Sequence, residues 1–284
     1  MKQVLAEVVE NKQILKELER SIHIKRPRPR DVLGSLIIWL KCPEIAQEAR
    51  PGQFVMVRCG KGTTLPRPFS IHQINNRGDI ALFYAVWERG KGTGWLSKRQ
   101  RGDTIDLLGP LGNSFSIHPT SHNLLLVAGG TGVAPLVFLA RQAIYKGLSV
   151  KLLMGASGEV KSSGKQNPSQ LYPKELLPSE IEIATINSSP DGERGMVTEL
   201  IPEFASWADQ IFACGPQAMY RTIAQKRKDL GLGGKPVHIS LETRMGCGRG
   251  ICYACTIKTR GGLKKVCQDG PVFNLDDIIW DEFI

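Results

Sequence analysis

Residues 123–136, NLLLVAGGTGVAPL, carry the strongest indication of fold class in the chain. After Asn123, the next five residues form an unbroken apolar run, which is typical of a strand buried on both faces of a parallel sheet. The glycine-rich residues that follow open a segment whose apolar side chains recur at helical spacing. Because glycines let a backbone approach phosphates and a helix N-terminus stabilises their charge, this order predicts a nucleotide-binding unit.

Alternating strands and helices continue downstream, and they predict an α/β, Rossmann-like domain with a parallel sheet over residues 121–232. Strands are expected at 149–154, 181–185 and 210–213, and helices from 133 to 144 and at 217–229. Ligands of such sheets bind at the carboxyl ends of the strands. Candidate nucleotide-binding residues are therefore Gly129, Gly130, Thr131, Gly132, Gly215 and Pro216.

Cys214 ends the last predicted parallel strand, directly before the Gly215–Pro216 turn. We predict that it lies next to the nicotinamide and is the catalytic residue of the hydride site. The alternative is a small buried core residue, which is how free cysteines commonly behave.

Residues 1–120 predict an all-β domain, because short apolar runs there are separated by glycine and proline. Enough strands for a small antiparallel barrel are expected, at 4–9, 35–40, 53–58, 69–73, 80–86 and 104–108. A helix is expected near 94–98. A second, amphipathic helix is expected at 11–24, with Ile14, Leu18 and Ile22 on one face.

Two motifs in this domain indicate a bound flavin nucleotide. RPFS at 67–70 begins a predicted strand, and GTGWLS at 92–97 opens a helix, whose free N–H groups favour a pyrophosphate. Arg67 would add a charge-assisted phosphate contact, Phe69 would stack on the flavin, and Ser70 would reach its polar edge. Candidate flavin-binding residues are Arg67, Pro68, Phe69, Ser70, Tyr84, Ala85, Val86, Gly92 and Thr93.

Four of the seven cysteines, Cys247, Cys252, Cys255 and Cys267, are clustered near the C-terminus. Their spacing, C-x4-C-x2-C-x11-C, matches the ligands of a plant-type [2Fe–2S] cluster. Zinc sites more often join two short cysteine pairs across a longer gap. Residues 233–284 are therefore predicted to be a small [2Fe–2S] module with these four metal ligands, and a zinc site is the alternative.

The net charge of +10 suits an anionic partner, but the 37 basic residues are spread along the chain. Only KRPRPR at 25–30 and Lys264–Lys265 form patches, so a solvated basic surface that attracts nucleotides is favoured over nucleic-acid binding. No apolar run approaches the roughly 20 residues of a membrane span. No signal-peptide core is evident, so a cytoplasmic protein is expected. The five histidines are expected to be surface or structural residues.

Taken together, RPFS, GTGWLS, GGTGVAPL and CGPQAM (214–219) resemble the motifs of the ferredoxin–NADP reductase superfamily along the whole chain. The tail at 241–273, LETRMGCGRGICYACTIKTRGGLKKVCQDGPVF, is similar to the iron–sulfur module of class 1B dihydroorotate dehydrogenase electron-transfer subunits. Related subunits of sulfide or ferredoxin oxidoreductases typically have Asp where Cys247 stands. Four cysteines therefore favour the dihydroorotate branch.

This resemblance implies FAD, a [2Fe–2S] cluster and NAD(H) as cofactors, and an FMN-containing catalytic subunit as partner in a heterotetramer of two plus two chains. It implies that electrons pass from the partner's FMN through the cluster and FAD to NAD⁺ during oxidation of dihydroorotate to orotate, a step of pyrimidine biosynthesis. The alternative is an electron-transfer subunit of another NAD(P)H-linked oxidoreductase, of ferredoxin or sulfide type. The residues after position 154 do not decide between NADH and NADPH.

Three function classes outside this family stay open from the sequence. They are a self-contained reductase with diffusible acceptors, a zinc-bearing adaptor that has lost catalysis, and a nucleic-acid binder that uses KRPRPR. Visible absorption separates them, because flavin and [2Fe–2S] are coloured and zinc is not. Two segments, 12–34 and 155–172, are longer than the family pattern requires.

Overall fold

The computed structural model describes residues 1–16, 32–157, 172–188 and 195–282. The strands of the N-terminal half are β1 (Lys2–Lys16), β2 (Val32–Lys41), β3 (Phe54–Val57), β4 (Arg67–Ile74), β5 (Asp79–Trp87) and β6 (Thr104–Leu111). Two short helices, α1 (Pro43–Ala46) and α2 (Lys91–Leu96), lie between them. The strands close into a barrel in the order β1-β2-β5-β4-β3-β6, and neighbours pair antiparallel. The predicted barrel is confirmed.

The barrel interior is filled by alternate side chains of its strands, since successive residues of a strand point to opposite faces. On β4, Phe69 and Ile71 are buried in this interior, whereas Pro68 and Ser70 on the other face are half-buried. Each large apolar side chain that leaves water stabilises the fold by about 1.5–3 kcal/mol. The apolar interior therefore holds the strands in register.

The predicted helix at 11–24 is wrong where the structure describes it, because β1 continues to Lys16. Its residues pair with β2 as far as Gly34, and Ile14 packs against the core of the second domain. Strand pairing and this packing outweigh a helical pattern that rested on three apolar residues. The rest of that segment, including KRPRPR, lies outside the described residues. The helix expected near 94–98 begins earlier, as α2.

The C-terminal half contains a second sheet and a hairpin. Its strands are β7 (Asn123–Gly129), β8 (Ser149–Ser157), β9 (Glu182–Ser188), β10 (Gln210–Cys214), β11 (Val237–Ser240), β12 (Thr256–Thr259), β13 (Gly262–Lys265) and β14 (Val272–Asn274). Its α-helices are α3 (Val133–Tyr145), α4 (Ile201–Ala205), α5 (Gln217–Gln225) and α6 (Val266–Asp269). Single 3-10 turns cover Gly130–Gly132, Lys174–Leu176, Val197–Leu200, Leu275–Asp277 and Trp280–Glu282.

The sheet has the order β14-β11-β10-β7-β8-β9, and every pair is parallel except β11 with β14. The predicted parallel-sheet domain is thereby confirmed, with β7 buried at its centre. The predicted boundary at residue 232 falls between two adjacent strands of this sheet, β10 and β11. The part of the chain expected to form the cluster module therefore supplies two strands of the nucleotide-binding sheet. None of the described helices is long and apolar enough to cross a membrane.

His72 of β4 joins the barrel to the second domain. The side chain is fully buried, and its Nδ1 lies 2.9 Å from the carbonyl oxygen of Ala134 in the first turn of α3. Because that oxygen can only accept, Nδ1 carries the proton, and Nε2 accepts from the Tyr172 hydroxyl at 3.1 Å. Burial lowers the pKa of His72 to about 4. The imidazole is therefore neutral at pH 7 and fixed in one tautomer.

This buried histidine predicts an acid-sensitive fold. Its folded pKa of about 4 lies below its ordinary value of 6.5, so between these values the unfolded chain binds a proton that the folded chain does not. Stability is fully present above pH 6.5 and falls as the pH drops toward 4, by up to about 3 kcal/mol from this group. Urea unfolding at a series of pH values measures the effect.

His72→Gln is expected to unfold more easily at pH 7 but to lose less further stability on acidification. The matched control is His122→Gln, which changes an exposed histidine and should keep the parent's pH dependence. If His72→Gln showed the same decline between pH 6.5 and 4 as the parent, His72 would not be the group that titrates.

Candidate electron-transfer sites

The four clustered cysteines come together from two segments. Cys247, Cys252 and Cys255 lie in the loop between β11 and β12, and Cys267 lies in α6. The β12–β13 hairpin reverses the chain, so that the N–H of Cys267 approaches the sulfur of Cys255 to 3.4 Å. All four thiols are free; Cys255 and Cys267 are buried, while Cys252 is exposed.

These thiols form two adjacent pairs. Cys247 is hydrogen-bonded to Cys252, and Cys267 is hydrogen-bonded to Cys255. Negative charge on Cys247 also raises the pKa of Cys267. Among the described residues, no group of three or more His, Cys, Asp or Glu side chains is arranged to hold a metal ion. The support for a binuclear [2Fe–2S] cluster is therefore the set of four cysteines, because such a cluster is held by four cysteine thiolates.

Backbone N–H groups favour negative charge on this loop. Burial raises the pKa of Cys247, but the N–H groups of Arg249, Cys252 and Ile251 outweigh it and bring the pKa down to about 6. The Arg249 N–H lies 3.2 Å from the Cys247 sulfur. Burial and the adjacent Cys255 instead raise the pKa of Cys267. Since metal ligation needs thiolates, the N–H donors make this loop suited to a cluster.

The loop keeps its shape through backbone conformations that few residues adopt. Gly248 and Gly250 have φ of 67° and 73°, and Tyr253 has φ of 58°, a region that disfavours side chains other than glycine. Lys265 donates from Nζ to the carbonyl of Gly250 at 3.0 Å, and its Nζ lies 5.1 Å from the Tyr253 ring centre. The last residue of the β12–β13 hairpin therefore fixes the loop that precedes the hairpin.

The two predicted flavin motifs meet on the barrel surface. Gly92 of α2 packs against Arg67 at the start of β4, where a Cβ on the glycine would lie 3.1 Å from the arginine Cγ. The Arg67 guanidinium is oriented by its Nη1, which donates to the Leu65 carbonyl at 2.8 Å. Gly90 supplies no side-chain cap to α2. Arg67 and the N–H groups of that turn, including Thr93, could hold a pyrophosphate.

The stacking role predicted for Phe69 disagrees with its packing. Phe69 and Tyr84 are both buried inside the barrel and meet edge to face, with ring centres 5.8 Å apart. Ala85 and Val86 on β5 are buried as well. Because successive residues of a strand point to opposite faces, Phe69 and Ser70 lie on opposite faces of β4, and the flavin contact of Phe69 stays a prediction. Ser70, on the half-buried outer face, is the residue of this motif that can meet a flavin.

Asn11, which the sequence did not single out, supports the same region. Its Nδ2 donates to the carbonyls of Leu96 at 3.0 Å and Arg99 at 2.9 Å, at the end of α2. Its Oδ1 accepts from the Tyr84 hydroxyl at 3.1 Å. One amide thus ties α2 to the barrel. No sequence signal marked it, because it lies in the segment predicted to be helical.

The nucleotide loop is formed by contact between two glycine turns. A Cβ on Gly132 would overlap the Cys214 carbonyl oxygen, and one on Gly215 would lie 3.0 Å from the Gly129 Cα. Gly130 has φ of 57°, which also favours glycine. Thr131 and Pro216 belong to the same two turns. The structure therefore brings all the predicted nucleotide-binding residues to one edge of the sheet.

Cys214 is buried beneath this edge. Its sulfur lies 3.6 Å from the Ser240 carbonyl oxygen, and burial raises the pKa of its thiol well above the usual range. Tyr220 of α5 holds the adjoining turn, because its hydroxyl accepts from the Gly215 N–H at 2.8 Å and donates to Ser240 at 2.6 Å. A neutral thiol here can pack beside a nicotinamide but cannot serve as a base.

Glu242 is a second residue that the sequence analysis missed. It follows β11 at the carboxyl edge of the sheet, and its negative charge contributes to the raised pKa of both Cys214 and Tyr220. The side chain has an exposed surface, yet protein surrounds the carboxylate closely enough that desolvation raises its pKa. These two facts agree if the carboxylate lines a concave surface. Its place after a parallel strand was the available signal.

Comparison with known proteins identifies the family. Residues 242–279 match the iron-sulfur cluster binding domain of dihydroorotate dehydrogenase B, and residues 36–115 match an oxidoreductase FAD-binding domain. A protein from Bacillus caldolyticus, the electron transfer subunit of dihydroorotate dehydrogenase B (NAD(+)), is 38% identical over 83% of this chain and 89% of its own. The subunit of the same name from Desulforamulus reducens is 36% identical over 84% and 90%.

The chain belongs to the dihydroorotate dehydrogenase B electron transfer subunits. The resemblance predicted from the sequence is confirmed. Among solved structures, the NADH-dependent reduced ferredoxin-NADP oxidoreductase is similar to this electron transfer subunit, with a TM-score of 0.77 and 28% identity over 98% of this chain and 91% of that one. A ferredoxin reductase of carbazole 1,9a-dioxygenase shares the fold, with a TM-score of 0.60 and 20% identity over 84% and 68%.

Arg67→Ala is expected to weaken FAD binding by this electron transfer subunit. Removing a charge-assisted hydrogen bond to a phosphate costs about 1.5–3 kcal/mol, which corresponds to a rise in Kd of roughly one to two orders of magnitude. Titration of deflavinated protein with FAD, followed by absorbance, gives the two dissociation constants. Arg77→Ala, at an exposed position in the β4–β5 turn, is the control. Unchanged affinity in Arg67→Ala would exclude Arg67 as a phosphate ligand.

Proposed function

We propose that this electron transfer subunit passes electrons between NAD(H) and an FMN-containing catalytic subunit that oxidises dihydroorotate to orotate. The four clustered cysteines carry the proposal, because all of them lie within the match to the iron–sulfur domain of this family. FAD, when bound, exchanges hydride with a nicotinamide and single electrons with a cluster. Cofactors supply the redox chemistry, and the residues of this chain hold and orient them.

Each proposed ligand has a place in that scheme. Arg67 at the start of β4, Ser70 and the first turn of α2 would bind FAD at the surface of the barrel. The glycine turns at 129–132 and 215–216 would bind the nucleotide phosphates, where close backbone approach is possible only without a Cβ. Cys214 would lie against the nicotinamide as a neutral thiol that excludes water and accepts no proton.

The cysteines supply both charge and selectivity for the metal site. Cys247, Cys252, Cys255 and Cys267 would hold the [2Fe–2S] cluster as thiolates. All seven cysteines are free in the structure, which suits a reducing compartment and supports a cytoplasmic location. Most of the residues directly after position 154, which do not decide between NADH and NADPH, lie outside the described part of the chain. The choice of NAD over NADP therefore rests on the family.

The face around Cys252 has the features of a docking surface for the catalytic subunit. Ile251 and Tyr253 flank this exposed cysteine and are themselves 72% and 66% exposed, and Leu263 of the adjacent hairpin is 73% exposed. Apolar side chains grouped on a surface commonly mark a protein interface. Docking there would bring a partner's FMN next to the cluster. We propose that two such pairs form the heterotetramer.

A second candidate function is supported by the similarity to the NADH-dependent reduced ferredoxin-NADP oxidoreductase. In that case the electron acceptor or donor of the cluster would be a ferredoxin-type protein. Both candidates use the same cofactors and the same chain of residues. They differ in the partner, so a partner assay separates them.

Reconstitution of the two-subunit reaction tests the main proposal. This chain alone is expected to form no orotate from dihydroorotate and NAD⁺, because none of its described sites is built to bind that acid. Adding the FMN-containing subunit should produce NAD⁺-dependent orotate formation, measured by the absorbance of orotate and NADH. Orotate formation by the isolated chain would contradict the two-subunit proposal. A complex that oxidised only ferredoxin would favour the second candidate.

Tyr253→Asn is expected to weaken the complex, because an exposed aromatic ring at an interface contributes about 1–2 kcal/mol. Asparagine tolerates the positive φ at this position, so the loop should keep its conformation. Tyr145→Asn is the matched control, since Tyr145 is 91% exposed at the end of α3. Calorimetry with the partner subunit gives both dissociation constants. Equal constants, with iron content unchanged, would exclude this face as the interface.

A further inference from the structure

The segment after β6 is attached to the cluster module through one asparagine. Asn113 directs its side chain to the turn between α6 and β14. Its Nδ2 donates to the carbonyls of Asp269 at 3.0 Å and Val272 at 2.8 Å, and its Oδ1 accepts from the Val272 N–H at 2.9 Å. Its backbone N–H donates to the Gly270 carbonyl at 2.6 Å. Both amide hydrogens and the oxygen are thus used on the segment that follows Cys267.

Two glycines allow the same close approach. Gly112 has φ of 74°, and a Cβ on it would lie 2.5 Å from the Gly270 carbonyl oxygen. Gly248, in the cysteine loop, has φ of 67°, and a Cβ there would lie 2.5 Å from Met56 Cγ and 3.0 Å from Leu111 Cδ1. Met56 belongs to β3 and Leu111 to β6. The segment that contains Cys247 therefore packs against β3 and β6, and the turn after Cys267 packs against the residue that follows β6.

This strand pair adjoins the flavin motif. Phe54 of β3 pairs with Ser70 of β4 on one side and with Leu111 of β6 on the other. Asn113 follows Leu111 by two residues and bonds to the turn after Cys267. A short series of backbone pairings and one side chain thus connects the proposed flavin strand to the fourth cysteine.

The covalent route between the same points is much longer. The Asn113–Val272 hydrogen bond joins residues 159 positions apart, and the intervening chain forms most of the second domain. Small rotations of that domain would move the cysteines relative to the barrel unless a direct contact held them. Electron tunnelling falls steeply with distance, so such a contact has a kinetic consequence.

We propose that Asn113 is a positioning residue that fixes the distance between the flavin on the barrel and the cluster on the cysteine loop. In doing so it sets the rate at which an electron passes between them. In that step one electron leaves the reduced flavin, and one of the two ferric ions becomes ferrous, so no further reactant is needed. The inference rests on the proposed assignment of the β4 motif to FAD and of the four cysteines to the cluster.

The experiment reduces the full chain, loaded with FAD and iron, by NADH in an anaerobic stopped-flow instrument. Flavin bleaching and cluster reduction are followed at separate wavelengths. Asn113→Ala is expected to slow cluster reduction severalfold, while flavin reduction by NADH and the midpoint potential of the cluster stay as in the parent. A purely stabilising role would lower thermal stability without separating the two rates.

Asn75→Ala is the matched control. Its Oδ1 accepts from the N–H groups of Arg77 at 2.9 Å and Asp79 at 3.0 Å in the β4–β5 turn. It therefore also loses side-chain bonds to backbone, but away from the cysteines, and should leave both rates unchanged. Asn113→Asp keeps the acceptor for the Val272 N–H and places an oxygen against two carbonyls. It should slow cluster reduction at least as much as Asn113→Ala.

Iron and FAD are quantified in every preparation, so that failure of the cluster assignment can be distinguished from failure of the positioning role of Asn113. A parent chain that binds no iron would overturn the cluster assignment itself. A loaded Asn113→Ala variant with the parent's rate of cluster reduction would overturn the positioning role alone. If Asn113→Ala does not retain iron, Asn113→Ser, which keeps one hydrogen-bonding group, is measured by the same criterion.

Discussion

The close contact between Gly132 and the Cys214 carbonyl is the constraint on which the nucleotide half depends. No side chain fits between these two turns, so the paired ends of β7 and β10 lie next to each other, and α3 begins at the residue after Gly132. The first turn of α3 then presents the Ala134 carbonyl to His72 of the barrel. The absence of a Cβ at Gly132 therefore allows the close approach of the two turns at the nucleotide-binding edge. The helix that follows is hydrogen-bonded to the barrel through the His72 imidazole.

Separate supports hold the three proposed cofactor sites. Asn11 ties α2 to the barrel wall, and Tyr220 fixes the turn after Cys214. Lys265, at the end of the β12–β13 hairpin, donates a hydrogen bond to the Gly250 carbonyl in the cysteine loop. Each is one side chain that bonds to backbone rather than to a ligand. The proposed cofactor sites thus depend on side chains whose hydrogen bonds fix the surrounding backbone, which is how a rigid binding site is supported.

Much of this could be predicted from the sequence, for identifiable reasons. The apolar run before GGTG and the spacing of the cysteines are local patterns, and both gave the correct architecture and family. The helix predicted at 11–24 failed because strand pairing with β2 is a long-range interaction that no local pattern records. The motif suggested that Phe69 contacts the flavin, but the burial of its ring inside the barrel was not expected, because a motif does not record which face of a strand a residue occupies.

Supporting residues escaped prediction for a related reason. Asn113 and Asn11 bond to backbone atoms far away in the sequence, and asparagine occurs too commonly in loops for its identity to be informative. Glu242 was accessible in principle, since it follows a parallel strand at the edge where ligands bind. The sequence therefore predicts the candidate binding residues better than it predicts the side chains that hold those residues in position.

The sharing of one sheet between two functions has a consequence for the biosynthesis of the protein. Because β11 and β14 flank the cysteine loop and also complete the nucleotide-binding sheet, a nascent chain leaves β10 as an open edge until β11 has been made and paired with it. Open edges invite pairing with other chains. The four cysteines and the strands that close the sheet are thus made in the same interval of synthesis, so the part of the chain that would bind iron and the part that covers the β10 edge emerge together.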